Sequence, residues 1–200
     1  MSKTLLLITA AIAAMSMAAC SKPADKPPSA ATPDEKAATP DANPAATIPT
    51  AANEAAAPDF VAKAAASDMF EVAAGKLAAS QASNPEVKKF AAMMVAAHTR
   101  TTAALKAAIA KAGAHITPPA TLPADLRAKL DDLKGKAGND FDRAYMRSQV
   151  DGHQAALDLF QRYAQDGDVA DIKTLAAATA PTIQEHLTKA KGVLDGLPKA

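Results

Sequence analysis

From residue 58 onward, apolar side chains recur every three or four positions, the spacing that gathers them on one stripe of an α-helix. Ala, Leu, Lys, Gln and Met are plentiful there and β-branched residues sparse, which favours helix again. The pattern predicts long helices at 58–82, 85–112, 139–166 and 168–195, with a short amphipathic one at 123–135. Ser83-Asn84-Pro85 separates the first pair, with Asn84 as N-cap and Pro85 in the first helical position. Gly113 and Pro118-Pro119 stop the second helix, Gly135 and Gly138 bound the short one, and Gly167 precedes the last, which starts from Asp168. Pro181 falls inside that last helix and is expected to kink it.

A weak repeat runs at an offset of 85 residues: Phe60 with Tyr145, Val72 with Leu157, Val87 with Ile172, Phe90 with Leu175. The chain is therefore expected to be all-α, a four-helix bundle of two helical hairpins with a short extra helix in the connection.

Polar residues interrupt the apolar stripes at chosen places. His98 lies in the middle of the second helix's stripe of Val87, Phe90, Ala91, Met94, Leu105 and Ile109. Asp142, Gln149 and His153 run along the centre of the stripe formed by Phe141, Tyr145, Leu157, Phe160 and Tyr163. His186 shares a side with Ile172, Leu175, Ile183 and Ala190, whereas Glu185 points away; Glu71 shares a face with Phe60, Ala64, Gly75 and Ala78. Counted from the hairpin turns, Glu71, His98 and His153 lie about twelve to fourteen residues away and so near mid-helix, while His186 lies about nineteen away, at least a turn off level. Glu71, His98 and His153 are thus the close candidate set, with Asp142, Gln149 and His186 as outer members. Carboxylate with imidazole suits iron, manganese or zinc, and Met93, Met94 and Met146 nearby keep copper in view. The competing structural reading is a buried hydrogen-bond network in which the acids orient neutral histidines and Tyr145 or Gln149 completes the pairing. A di-iron centre is not expected, because Val95 stands where a Glu-x-x-His pair would need its glutamate. His115 is expected in solvent.

Composition narrows the picture. All seven aromatics lie between Phe60 and Tyr163, and eight of the fourteen prolines fall at or before Pro58. Residues 20–57 hold Ala, Pro, Thr, Asp and Lys with no glycine or aromatic, too little apolar surface to offset ordering entropy, and read as a disordered tether of at most about 115 Å. The packed part is 58–200. A net charge of +1 argues against a nucleic-acid partner, which calls for a basic surface. No nucleophile elbow or phosphate-cradling glycine loop is visible, so a binding role is expected rather than an enzymatic one.

At the N-terminus, Lys3, the apolar run Leu5 to Ala14 and the small residues before Cys20 fit a cleaved export signal over residues 1–19. Met17-Ala18-Ala19-Cys20 resembles the lipobox of bacterial lipoproteins, in which the cysteine is lipidated and becomes the mature N-terminus; the usual Leu is Met17 here. By the same resemblance, Ser21 implies delivery to the periplasmic face of the outer membrane, with acyl chains on Cys20 as the membrane anchor. The alternative is an ordinary signal peptide cleaved nearby, which leaves a soluble periplasmic protein with a free thiol.

Taken in order, Phe60-Val61, Ser67-Asp68-Met69-Phe70-Glu71-Val72, Ala82-Ser83-Asn84-Pro85-Glu86-Val87-Lys88, Phe141-Asp142-Arg143-Ala144-Tyr145-Met146 and Glu185-His186-Leu187 resemble the bacterial envelope family catalogued as domain of unknown function 4142, over about residues 58–195. The resemblance implies a ferritin-like bundle and no assigned activity, leaving three functions to weigh: binding of an envelope partner or a metal ion, metal-dependent redox or metal handling, and a structural or oligomeric module. The family pattern has Asp-His in the second and third long helices, where this chain has Ala97-His98 and Gly152-His153.

Overall fold

The computed structural model describes residues 53–199. The expected export signal, Cys20 and all but the end of the expected tether lie outside the described residues. Five helices follow in order: α1 Ala57–Gln81, α2 Pro85–Lys111, α3 Ala124–Lys134, α4 Gly138–Asp166 and α5 Ala170–Gly196. All are as the hydrophobic period predicts, within a residue or two at each end.

Two apolar clusters set the topology. One joins Phe60 and Val61 of α1, Leu105 and Ile109 of α2, Leu157, Phe160 and Tyr163 of α4, and Ile172 of α5. The other joins Ala78, Val87, Phe90, Phe141, Tyr145 and Ala190. The start of α1 therefore meets the end of α2, the end of α4 and the start of α5. Neighbouring long helices run antiparallel, and the connection from α2 to α4, carrying α3 against α1, travels the length of the bundle. That single long crossover is the ferritin-like arrangement. It also places the two repeats head to tail, so Phe60 and its counterpart Tyr145 anchor opposite ends.

The helix ends are held by side chains reaching between elements. Asn84 Oδ1 accepts from the Glu86 amide at 2.8 Å, as its N-cap role requires. Asp168 behaves otherwise than expected. Val169 is the residue that precedes α5, without a side-chain cap, while Asp168 crosses to α1 and accepts from the Ala57 amide at 2.9 Å and from Tyr163 Oη at 3.0 Å. A carboxylate at the α1 N-terminus satisfies one of its free amides and complements its dipole. Burial and the Asp168 carboxylate together push the Tyr163 phenol up to about 12. The same corner shifts the start of the packed domain: Asp168 N donates to Ala55 O at 3.2 Å, and Glu54 pairs with Lys63 and Arg162, so residues placed in the tether by composition are seated on the bundle from Asn53. α5 continues through Pro181.

α1 and α2 approach closely where Gly75 faces α2. A Cβ at Gly75 would stand 2.7 Å from Val95 Cγ2 and 3.1 Å from Ala91 O. Gly75→Ala, which raises helix propensity, is expected to lower stability by about 1–2 kcal/mol in urea unfolding, because overpacking outweighs propensity. An equal or higher midpoint would show that the hairpin yields freely.

Candidate metal centre

Between the two apolar clusters lies a belt of polar side chains. Glu71, Gln149 and His153 are at most 2% exposed, and Asp68, His98 and His186 are also buried. Each long helix contributes, because a single polar residue set into an apolar stripe is carried to the bundle axis with the stripe.

The imidazoles of His98, His153 and His186 converge, one each from α2, α4 and α5. Ring centroids are 5.6 Å apart for His98–His153, 5.5 Å for His153–His186 and 6.0 Å for His98–His186. One nitrogen from each ring lies within 4.8 Å of the others. His186, expected off level, is in the cluster. Its Cα is sixteen residues into α5, against thirteen into α2 for His98, a difference of about 4.5 Å of rise. Helical side chains lean toward their own N-terminus, and α5 runs against α2 and α4, so the opposed leans bring the rings together.

α1 supplies carboxylates to this cluster. His98 Nδ1 lies 2.7 Å from Asp68 Oδ1, an acceptor only, so Nδ1 carries the proton and donates. Thr101 and Thr102 donate to Asp68 Oδ1 and Oδ2 at 2.7 and 3.0 Å, satisfying that carboxylate further. His153 Nδ1 donates to Gln149 O at 2.8 Å, and Gln149 Nε2 donates to Glu71 Oε2 at 2.7 Å. The distal nitrogens are thereby left as lone pairs when the rings are neutral. His98 Nε2, His153 Nε2 and His186 Nδ1 are buried and meet no partner among the described residues. They border a cavity of about 30 Å³, room for an ion or a water.

Spacing alone does not single out Asp68, although it stands three residues before Glu71 and so on the same face of α1. Asp142, expected as an outer member, belongs elsewhere. It is 1% exposed and accepts from the amides of Ser83 at 3.0 Å and Asn84 at 2.8 Å and from the Ser83 hydroxyl, closing the α1–α2 turn against α4. Tyr145 Oη has no partner among the described residues, and burial and the Glu71 charge hold the phenol protonated. Met94 and Met146 pack in the second apolar cluster with Met93 against it, and His115 is exposed.

The three rings titrate differently. Burial lowers His98, but the Asp68 hydrogen bond and the charges of Glu71 and Asp68 outweigh it, leaving the ring above its ordinary value. His153 is lowered, by burial first and by the His98 cation, with Glu71 pulling the other way. His186 falls to about 4, through burial and then the charges of His153, His98, Lys189 and Arg100. Between pH 4 and 6.5 the unfolded chain binds more protons at His186 and His153 than the fold does. Stability is therefore full above pH 6.5 and lost as pH falls toward 4; His98 acts oppositely, adding stability below 6.5 that is lost as pH rises past its folded value. From His186 alone the metal-free protein is expected to lose about 2 kcal/mol between pH 7 and pH 4. Urea midpoints should fall more steeply over that range in the native protein than in His186→Gln; parallel profiles would contradict the assignment.

A family model described as Domain of unknown function (DUF4142) matches residues 42–193, beginning upstream of the packed region expected from the sequence. Among solved structures the chain is similar to a crystal structure of a DUF305 fragment from Deinococcus radiodurans, at 16% identity and a TM-score of 0.59, over 69% of this chain and 94% of that one. At that identity the likeness speaks for the fold alone. No curated protein matches the chain.

Proposed function

Because the chain belongs to the DUF4142 family, a domain of unknown function, its chemistry has to be read from its own side chains, and we propose that it is an envelope binding protein holding one transition-metal ion on His98, His153 and His186. The observation that carries this reading is the set of three buried ring nitrogens, unpartnered among the described residues, around a cavity of ionic size. A hydrogen-bonded core would explain Asp68–His98 and Gln149–Glu71, yet it leaves these three ring nitrogens buried with no partner among the described residues.

Three neutral imidazoles favour zinc or copper over manganese, which prefers oxygen ligands. In a tetrahedral zinc site ligand nitrogens stand about 3.3 Å apart. The present spacing, within 4.8 Å, would have to close to that value on binding. Asp68 and the Gln149 carbonyl would act as outer partners that fix the tautomers and raise ligand basicity. With three protein ligands one position stays open, and Glu71 is the nearby buried carboxylate that would orient a group bound there.

The test is metal content. The protein purified without chelator and supplied separately with iron, manganese, zinc and copper should retain about one equivalent of zinc or copper by mass spectrometry. A folded protein that retains none of the four would overturn the reading and turn attention to an envelope protein partner.

The leader and Cys20 support tethering at the periplasmic face of the outer membrane through acyl chains. Under that reading a Cys20→Ala variant leaves the membrane fraction; its retention there would refute lipid anchoring.

A further inference from the structure

The crossover leaves a groove of about 1050 Å³ between α3 and the α1/α4 pair, bordered by Phe70, Leu126 and Leu159 among others. On its inner side it meets the histidine cavity. Ala64, Ser67, Glu71, Gly152, Ala156 and Phe160 line both spaces, so these residues are the wall between them.

Gly152 is the unusual member of that wall. A glycine inside a helix costs about 0.5–1 kcal/mol relative to alanine, and it is normally kept for a special backbone angle or a close packing contact. Neither applies here. Among the described residues the positive-φ glycines are Gly113 and Gly138. A Cβ built on Gly152 meets only Glu71 Oε1, at an ordinary 3.5 Å, in contrast to the tight contacts at Gly75. What the missing side chain does is keep the wall thin next to His153, with the Glu71 carboxylate just inside it.

We propose that Gly152 is the gate through which a hydrated divalent cation passes from the groove beneath α3 to the histidine cluster. Glu71 is the first anionic group it meets inside, and there it exchanges water for protein oxygen before the imidazoles take it. The groove lip itself carries both signs, with Asp125, Asp132 and Asp151 beside Lys63, Lys129 and Arg147. Selection for a cation therefore falls to Glu71 rather than to the groove.

This inference rests on the metal reading above, and its test separates the two. Zinc loading of the metal-free protein is followed by stopped flow with a chromophoric zinc indicator, and affinity is measured at equilibrium. Gly152→Val should slow both loading and release by about tenfold, and Gly152→Ala by about two- to threefold, with affinity within about twofold of native. Gly152→Ala has room for its methyl and should melt no lower than the native protein, so a folding defect does not obscure it. Gly192→Ala, at an α5 glycine with open space around it, should load at the native rate. Native loading rates in both Gly152 variants, or equal slowing in Gly192→Ala, would overturn the gate alone. A native protein that binds no zinc would overturn the metal reading and the gate together.

Discussion

His153→Ala is expected to weaken zinc binding by at least about a thousandfold while the helical content is retained. Loss of an outer partner of a metal ligand typically costs 10- to 100-fold, and loss of the ligand itself costs more, since two imidazoles cannot replace three in a dry site. Asp68→Asn gives the smaller step for comparison, about 10- to 100-fold, because it removes the charge behind His98 Nδ1 at 2.7 Å while leaving the ring in place. Competition titrations against a chelator of known affinity read both. If His153→Ala binds zinc like the native protein, the converging rings are a structural polar layer and the ligands lie elsewhere.

The largest loss of stability is expected far from the histidines, at Asp142→Ala, at about 3–4 kcal/mol. The carboxylate is almost fully buried and accepts three hydrogen bonds from the α1–α2 turn, two of them from backbone amides. Bonds to a charged acceptor are worth about 1.5–3 kcal/mol each, and removing it leaves donors buried without partners. Zinc affinity should be unchanged within about twofold, which distinguishes a fastening of the hairpin to α4 from a place in the metal centre. Urea unfolding and zinc titration on the same variant decide it. A stable variant with weakened zinc binding would reverse the assignment.

These two expectations divide residues that look alike in the sequence. Asp142, Gln149 and His153 lie on one stripe of α4 at spacings of seven and four, and helical periodicity correctly carries all three to the interior. Periodicity says nothing about which neighbour each meets along the 29-residue helix. Asp142 is close to the start of α4, and the topology puts that end against the Ser83-Asn84 turn. Gln149 and His153, two and three turns further on, fall at the level of Glu71 and the other histidines.

The amino-acid pattern by itself determined the helices, their ends at Pro85, Gly113 and Gly167, and the burial of Glu71, His98, Asp142, Gln149, His153 and His186. Those properties depend on local propensity and on which face of a helix is apolar, and both are written in residues a few positions apart. The motifs were also enough to place the chain in its family. Only the tertiary structure decided that His186 rather than Glu71 completes the close cluster, that Asp68 backs His98, and that Asp168 caps α1 rather than opening α5. Each of these depends on the direction in which one helix runs past another and on the lean of side chains across the gap. Such relations join residues 30 to 111 positions apart. The period of a single helix does not record them.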